Sequence, residues 1–112
     1  LGADGSFVEA PGSLEQLKEI GRRVPKPMVA NMIEGGKTPV LPKDELAQMG
    51  FQLILYPLTG LYAAATSMRD FYQTLLDDGT TIGKESKLMQ FAEFNELIGV
   101  EEKYRLAEKF GE

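Results

Sequence analysis

Three short apolar runs, each followed by a segment of helical period, constrain this chain more than any other feature. Ser6-Phe7-Val8-Glu9, Met28-Val29-Ala30-Asn31 and Phe51-Gln52-Leu53-Ile54-Leu55-Tyr56 are of strand type, and their ends at Glu9, Asn31 and Tyr56 fall 22 and 25 residues apart. Strands that run the same way need a crossover of about a dozen residues or more, usually a helix. The third run is nearly all apolar, as in parallel strands covered on both faces. The spacing therefore predicts successive β/α units, with strands near 6–9, 28–31 and 51–56 parallel and adjacent and helices packed on one side.

The segments between the runs carry helix signals. Ser13 is placed as an N-cap, Gln16 completes a capping box, and Leu14, Leu17 and Ile20 recur at helical spacing until Gly21 to Arg23. Val24-Pro25-Lys26-Pro27 breaks the chain, because Pro lacks an N–H and disfavours helix before it. Pro42 to Met49 suits a short helix with Gly50 as its stop. Leu61, Ala64, Ala65, Met68, Phe71, Tyr72, Leu75 and Leu76 mark one face of a longer helix, which Asp77 to Thr81 closes. Two further helices are expected over Leu88 to Ile98 and Val100 to Phe110, with Gly99 between them.

Three strands cannot close a barrel, and a bare three-stranded parallel sheet leaves two exposed edges. A (β/α)₈ barrel takes about 250 residues. The expected fold class is therefore α/β, the C-terminal portion of a (β/α)₈ TIM barrel. Residues 1–85 would form its last β/α units and residues 86–112 a helical extension. Leu1-Gly2-Ala3-Asp4-Gly5 has the form of neither a signal peptide nor a translation start, and reads as the interior of a domain.

Composition removes several functions. With no His and no Cys, no zinc site of the usual kind forms and no triad built on those residues is available. The absence of Cys suits a reducing compartment, and a cytoplasmic location is expected. A formal net charge of −5 argues against a nucleic-acid surface, which needs clustered Lys and Arg. No apolar run approaches the ~20 residues of a membrane span.

In β/α barrels, polar residues at the C-terminal ends of strands face the active site. Glu9 and Asn31 hold such positions, each closing an apolar run. A carboxylate there accepts from a substrate hydroxyl or a metal-bound water, and an Asn amide both donates and accepts. Residues so placed also serve simply to cap helices or hold loops. The Glu34-Gly35-Gly36-Lys37-Thr38-Pro39 loop is open to two readings as well. Paired glycines let backbone N–H groups approach an anion, or make a tight turn. The P-loop spacing is absent. The five methionines read as core filler, and the charges from Glu101 to Glu112 as a solvated helix face.

Several stretches, taken together, resemble one family. Gly2-Ala3-Asp4 with Phe7-Val8-Glu9-Ala10-Pro11 is similar to the start of the last third of the isocitrate lyase and phosphoenolpyruvate mutase superfamily. Ala30-Asn31-Met32-Ile33-Glu34-Gly35-Gly36-Lys37-Thr38-Pro39 looks like that superfamily's "ANM-E-G-TP" segment. Asp44-Glu45-Leu46, Gly50-Phe51 and Leu55-Tyr56-Pro57-Leu58-Thr59 match its next strand and turn. Phe91-Ala92-Glu93-Phe94-Asn95-Glu96-Leu97-Ile98-Gly99 resembles the C-terminal segment of its dimethylmalate-lyase-like branch.

The resemblance implies a (β/α)₈ barrel, commonly tetrameric, with a C-terminal helix exchanged between subunits. It implies making or breaking of C–C or P–C bonds beside a carboxylate, through an enolpyruvate-like species bound to Mg²⁺. Carried over residue by residue, Glu9 matches the strand-end glutamate near the substrate. Asn31, with the backbone of Met32 and Ile33, matches the segment that holds a substrate carboxylate. Gly36, Thr38 and Pro39 match the loop that shapes this wall. The family's magnesium-binding aspartates, its Lys-Lys-Cys-Gly-His loop and a carboxylate-binding Arg all lie upstream of the matching segment. No catalytic residue or metal ligand is therefore expected here, and this segment alone is expected to be inactive.

Two departures bear on the substrate. The resemblance to methylisocitrate lyases fails at Tyr62 and at Phe91-Ala92, where those enzymes carry arginines suited to a third carboxylate. A dicarboxylate such as a 2-alkylmalate, dimethylmalate or oxaloacetate is thus expected. Phosphonomutase or phosphonate hydrolase chemistry, oxaloacetate decarboxylation, and a non-catalytic packing fragment stand as alternatives. Residues 86–112 carry many apolar side chains, and a homo-oligomer formed through them is expected.

Overall fold

The computed structural model describes residues 2–111; Leu1 and Glu112, the outermost residues of the two expected segments, lie outside them. Within it run β1 (Ser6–Phe7), α1 (Leu14–Arg23), β2 (Met28–Asn31), α2 (Lys43–Met49), β3 (Leu53–Leu55), α3 (Thr59–Asp78), a 3₁₀ turn (Glu85–Lys87), α4 (Phe91–Leu97) and α5 (Val100–Phe110). The strands lie in the order β1-β2-β3, and both pairings are parallel. Phe7 sits opposite Val29, Val29 opposite Leu53, and Asn31 opposite Leu55. The fold is that of a piece of a β/α barrel, as expected.

Two of the strands are shorter than the apolar runs. The first ends at Phe7 and not at Glu9, because the chain turns at Ala10, whose φ of 49° lies in the left-handed region. The third starts at Leu53 and not at Phe51. The Phe51 N–H is taken by Leu46 O (3.0 Å) in closing α2, and Gly50 supplies the φ of 99° that this closure needs. Gln52 then engages one residue of β2 twice. Its backbone N–H donates to Met28 O (3.0 Å), and its side-chain carbonyl accepts from the Met28 N–H (2.8 Å).

The cap of α1 departs in detail from a capping box. Ser13 Oγ accepts from the Gln16 N–H (3.2 Å), but Gln16 Oε1 reaches back to the Gly12 N–H (2.6 Å) instead of to Ser13. Glu19 pairs with both Arg22 and Arg23 in the last turns. The α1 and α2 helices cross where Gly21 meets Met49. A Cβ on Gly21 would fall on the Met49 carbonyl oxygen and lie 2.9 Å from its carbon.

Two compact units are present, Leu1–Met68 and Arg69–Glu112. The first holds the core: Leu17 of α1, Met28, Ala30 and Met32 of β2 and its continuation, Leu46 of α2 and Phe51. Residues alternate along β2, so Met28 and Ala30 pack under the helices while Val29 and Asn31 point to the other face. That other face is apolar and open: Phe7 is 46% exposed, Leu53 52% and Leu55 39%. In the second unit, Lys84 Nζ donates to Thr74 Oγ1 (2.9 Å) and ties the following loop to the last turns of α3. The helix expected from Leu88 begins at Phe91, since Gln90 is still extended (ψ 148°). The boundary placed after residue 85 falls at the 3₁₀ turn, whereas compactness divides the chain inside α3. Among the described residues, no helix is long and apolar enough to cross a membrane.

Candidate functional site

At the C-terminal ends of β1 and β2 lies a cavity of about 190 Å³. Glu9, Asn31, Met32, Ile33, Gly36 and Thr38 all line it. All six residues singled out from the sequence are thus brought together. Each arrives for a local reason. Glu9 leaves β1 just before the Ala10 turn, and the Pro11 that follows also lines the cavity. Asn31 is the last residue of β2, and Met32 continues its ladder, donating to Leu55 O (2.8 Å). Gly36 closes a turn onto Ile33 O (3.0 Å), and Thr38 is buried. Leu17, Ile20 and Phe51 supply an apolar part of the lining.

The polar groups are not all satisfied. Asn31 Oδ1 is buried with no hydrogen-bond partner, alone among buried side-chain N and O atoms of the described residues. An acceptor left so loses its hydration without replacement, at a cost of about 1–3 kcal/mol. Glu9, on the same cavity, is exposed and acceptor-only when ionised. The buried Asn31 oxygen calls for a donor, and a hydroxyl is the simplest.

The wall from Ile33 to Leu41 is held from the next strand. Thr59 Oγ1 donates to Glu34 Oε1, and Tyr56 Oη donates to Leu41 O (3.3 Å). The Thr59 hydroxyl, followed by the backbone of Glu34 itself, holds the Glu34 carboxyl below its ordinary value.

Sequence reasoning passed over two residues. Lys37 lines the cavity, and its aliphatic stem lies on Gly12, with Cε 3.3 Å from where a Gly12 Cβ would stand. The only available signal was the order Gly-Gly-Lys in the loop. The partner glycine lies 25 residues earlier, on another loop.

Metal binding was tested on the same residues. Among the described residues, no group of three Asp, Glu, His or Cys is placed to hold an ion, and Glu9 is the sole carboxylate on the cavity. Mg²⁺ is usually held by one or two carboxylates with several waters kept, so Glu9 supplies at most one ligand of such a site.

No family model matches the chain. It is 46% identical over 109 residues to carboxyvinyl-carboxyphosphonate phosphorylmutase of Arabidopsis thaliana, covering 97% of this chain and 32% of that protein. It is 40% identical over 100 residues to 2,3-dimethylmalate lyase of Eubacterium barkeri, covering 89% of this chain and 35% of that protein. With 2-methylisocitrate lyase of Aeropyrum pernix it shares 37% identity over 98 residues, 88% of this chain and 32% of that protein. Among solved structures, 2,3-dimethylmalate lyase superposes with a TM-score of 0.78 at 30% identity, over 98% of this chain and 38% of the other. The chain spans about a third of the length of the curated relatives it matches.

Proposed function

We propose that this chain, a member of the isocitrate lyase/PEP mutase superfamily, forms one wall of the substrate site of a carbon–carbon lyase for small 2-hydroxy dicarboxylates of the 2-alkylmalate or dimethylmalate type. One observation carries the reading: Glu9 and the unpartnered Asn31 Oδ1 stand on the same cavity at the strand ends. The 40% identity to a dimethylmalate lyase supports it.

Cleavage of such an acid breaks the bond between the carbinol carbon and its neighbour. The hydroxyl proton leaves as the carbinol becomes a carbonyl. The electron pair passes to the neighbouring carbon, whose carboxylate spreads the charge, and a proton is returned there. A 2-oxo acid and a saturated acid result. The part played by this chain is to hold the hydroxyl. Its one proton goes to one acceptor: Asn31 Oδ1, buried and unpartnered, accepts from it, which fixes the bond to be broken against the wall. A group so oriented reacts with far less loss of freedom than one that tumbles. The apolar lining from Leu17, Ile20 and Phe51 suits the alkyl branch. Mg²⁺, where the enzyme uses it, would draw on oxygen ligands beyond the residues described.

The test is an assay of the protein that carries this chain. With 2,3-dimethylmalate it should release a 2-oxo acid, and Asn31→Ala should cut kcat/KM by at least about tenfold, the loss of one well-placed hydrogen bond, with an unchanged melting curve. Turnover of a phosphonate, and none of the alkylmalate, would favour the second reading. That reading, P–C bond chemistry, draws on the 46% identity to a phosphorylmutase. We also propose a cytoplasmic location for the enzyme and a homo-oligomer assembled through residues 86–112. Apolar Phe91, Leu97, Tyr104 and Phe110 are exposed there.

A further inference from the structure

We propose that Lys37 binds a carboxylate of the ligand, and that Gly12 positions it by offering its stem a seat without a side chain. The inference rests on the hydroxy-acid reading above and concerns the second carboxylate of the acid, beyond the one that the family resemblance assigns to the Asn31 segment and an upstream Arg.

Lys37 is the sole cationic side chain on the cavity, and Glu9 the sole anionic one. Ion pairs among the described residues are those of Arg22, Arg23, Arg69 and Lys84, and Lys37 is in none of them. The other polar side chains on the cavity are Asn31 and Thr38, which are neutral, and Glu9, which only accepts when ionised; the Gly36 N–H is engaged with Ile33 O. A ligand that gives its hydroxyl proton to Asn31 Oδ1 still brings carboxylates, and Lys37 is the charged donor on the same cavity. An ammonium offers three donors and a full charge to such a group.

The side chain also has a fixed path. Its Cε and Cγ lie 3.3 and 3.9 Å from the position of a Gly12 Cβ. Lys37, which lines the cavity, therefore crosses from the β2 loop to the β1 loop. A Cβ at residue 12 would crowd its Cε, and a larger side chain there would take the path of the stem.

The experiment uses the complete enzyme and steady-state kinetics with 2,3-dimethylmalate at two salt concentrations, reading binding from KM and turnover from kcat. Lys37→Met keeps the stem and removes the charge; it should weaken binding about tenfold or more and abolish most of the salt dependence. Lys37→Arg should recover much of the affinity. Gly12→Val, with Lys37 intact, should weaken binding in the same direction. Wild-type affinity in Lys37→Met would overturn the inference while leaving the hydroxy-acid reading in place. An equal loss in Lys37→Arg and Lys37→Met, with salt dependence kept, would make Lys37 structural and overturn it too. Failure of the wild type to bind the acid at all would sink the hydroxy-acid reading itself. Weakened Lys37→Met beside unchanged Gly12→Val would overturn the role of Gly12.

Discussion

Leu1–Met68 and Arg69–Glu112 differ in how far they bury their apolar residues. Among the described residues, all six buried hydrophobic side chains lie in the first unit, while in the second the buried residue is Thr74. The first unit is built from crossovers, which bring Leu17, Met28, Leu46 and Phe51 into one layer although they are far apart in sequence. In the second unit α4 and α5 follow each other across Gly99, and Phe91 (82%) and Phe110 (71%) stay exposed. Parallel β/α topology thus supplies its own cover on the helix side, whereas a local helix pair supplies none. Apolar surface left in this way is the surface through which the oligomer proposed above would assemble.

The largest expected effect tests that contrast directly. Deleting residues 86–112 from the complete enzyme should lower its oligomeric mass, measured by light scattering, while the rest of the protein stays folded. An unchanged mass would leave the second unit's apolar side chains without the role given to them here.

Single truncations sharpen the same comparison. Leu46 is fully buried, so Leu46→Ala should cost about 2–5 kcal/mol in urea unfolding. Leu97 is exposed, so Leu97→Ala should change the unfolding of the protomer by less than about 0.5 kcal/mol and act instead on subunit dissociation. Similar unfolding losses for both would erase the distinction. Next in size stands Gly21→Ala, whose added methyl meets the Met49 backbone. A cost of about 1–3 kcal/mol is expected, and a neutral result would mean that α1 and α2 part easily.

These predictions depend on features of unequal legibility. The strands were readable because continuous apolar runs separated by helix-length segments have few other solutions. Their ends were not, since β1 stops where Ala10 takes a positive φ, a local conformation that an Ala-Pro pair does not announce. The six wall residues were readable from the strand-end rule together with the family resemblance. Lys37 was not, because its place depends on an approach between two loops, and spacing along one chain does not encode it. The tail's helices were legible from their period, but their exposure was not, since period reports which residues share a face and not what covers it.

The smallest expected effect concerns the tether of the wall. Thr59 donates to Glu34 and lowers its pKa, so the ionised form is favoured when folded. The stability this adds is present above the ordinary glutamate pKa and is lost as pH falls through the lowered value of the folded protein. Glu34→Gln should remove a slight part of the acid dependence of unfolding, and Thr59→Val the larger share of that part, the Glu34 backbone keeping the rest. A Thr59→Val profile identical to that of the parent protein would show that the tether is not what Glu34 senses.

Gln52 has a consequence at a distance. With strands of two to four residues, few ladder bonds oppose a slip of one strand past its neighbour by a pleat. By gripping Met28 through both backbone and side chain, Gln52 acts as an index pin at the N-terminal end of the sheet. A slipped sheet would leave that pin without its hole. Asn31 stands three residues further along β2 and inherits its height from this alignment, opposite Leu55. The site's amide is therefore levelled from the far end of the strand, by a residue that never touches the cavity.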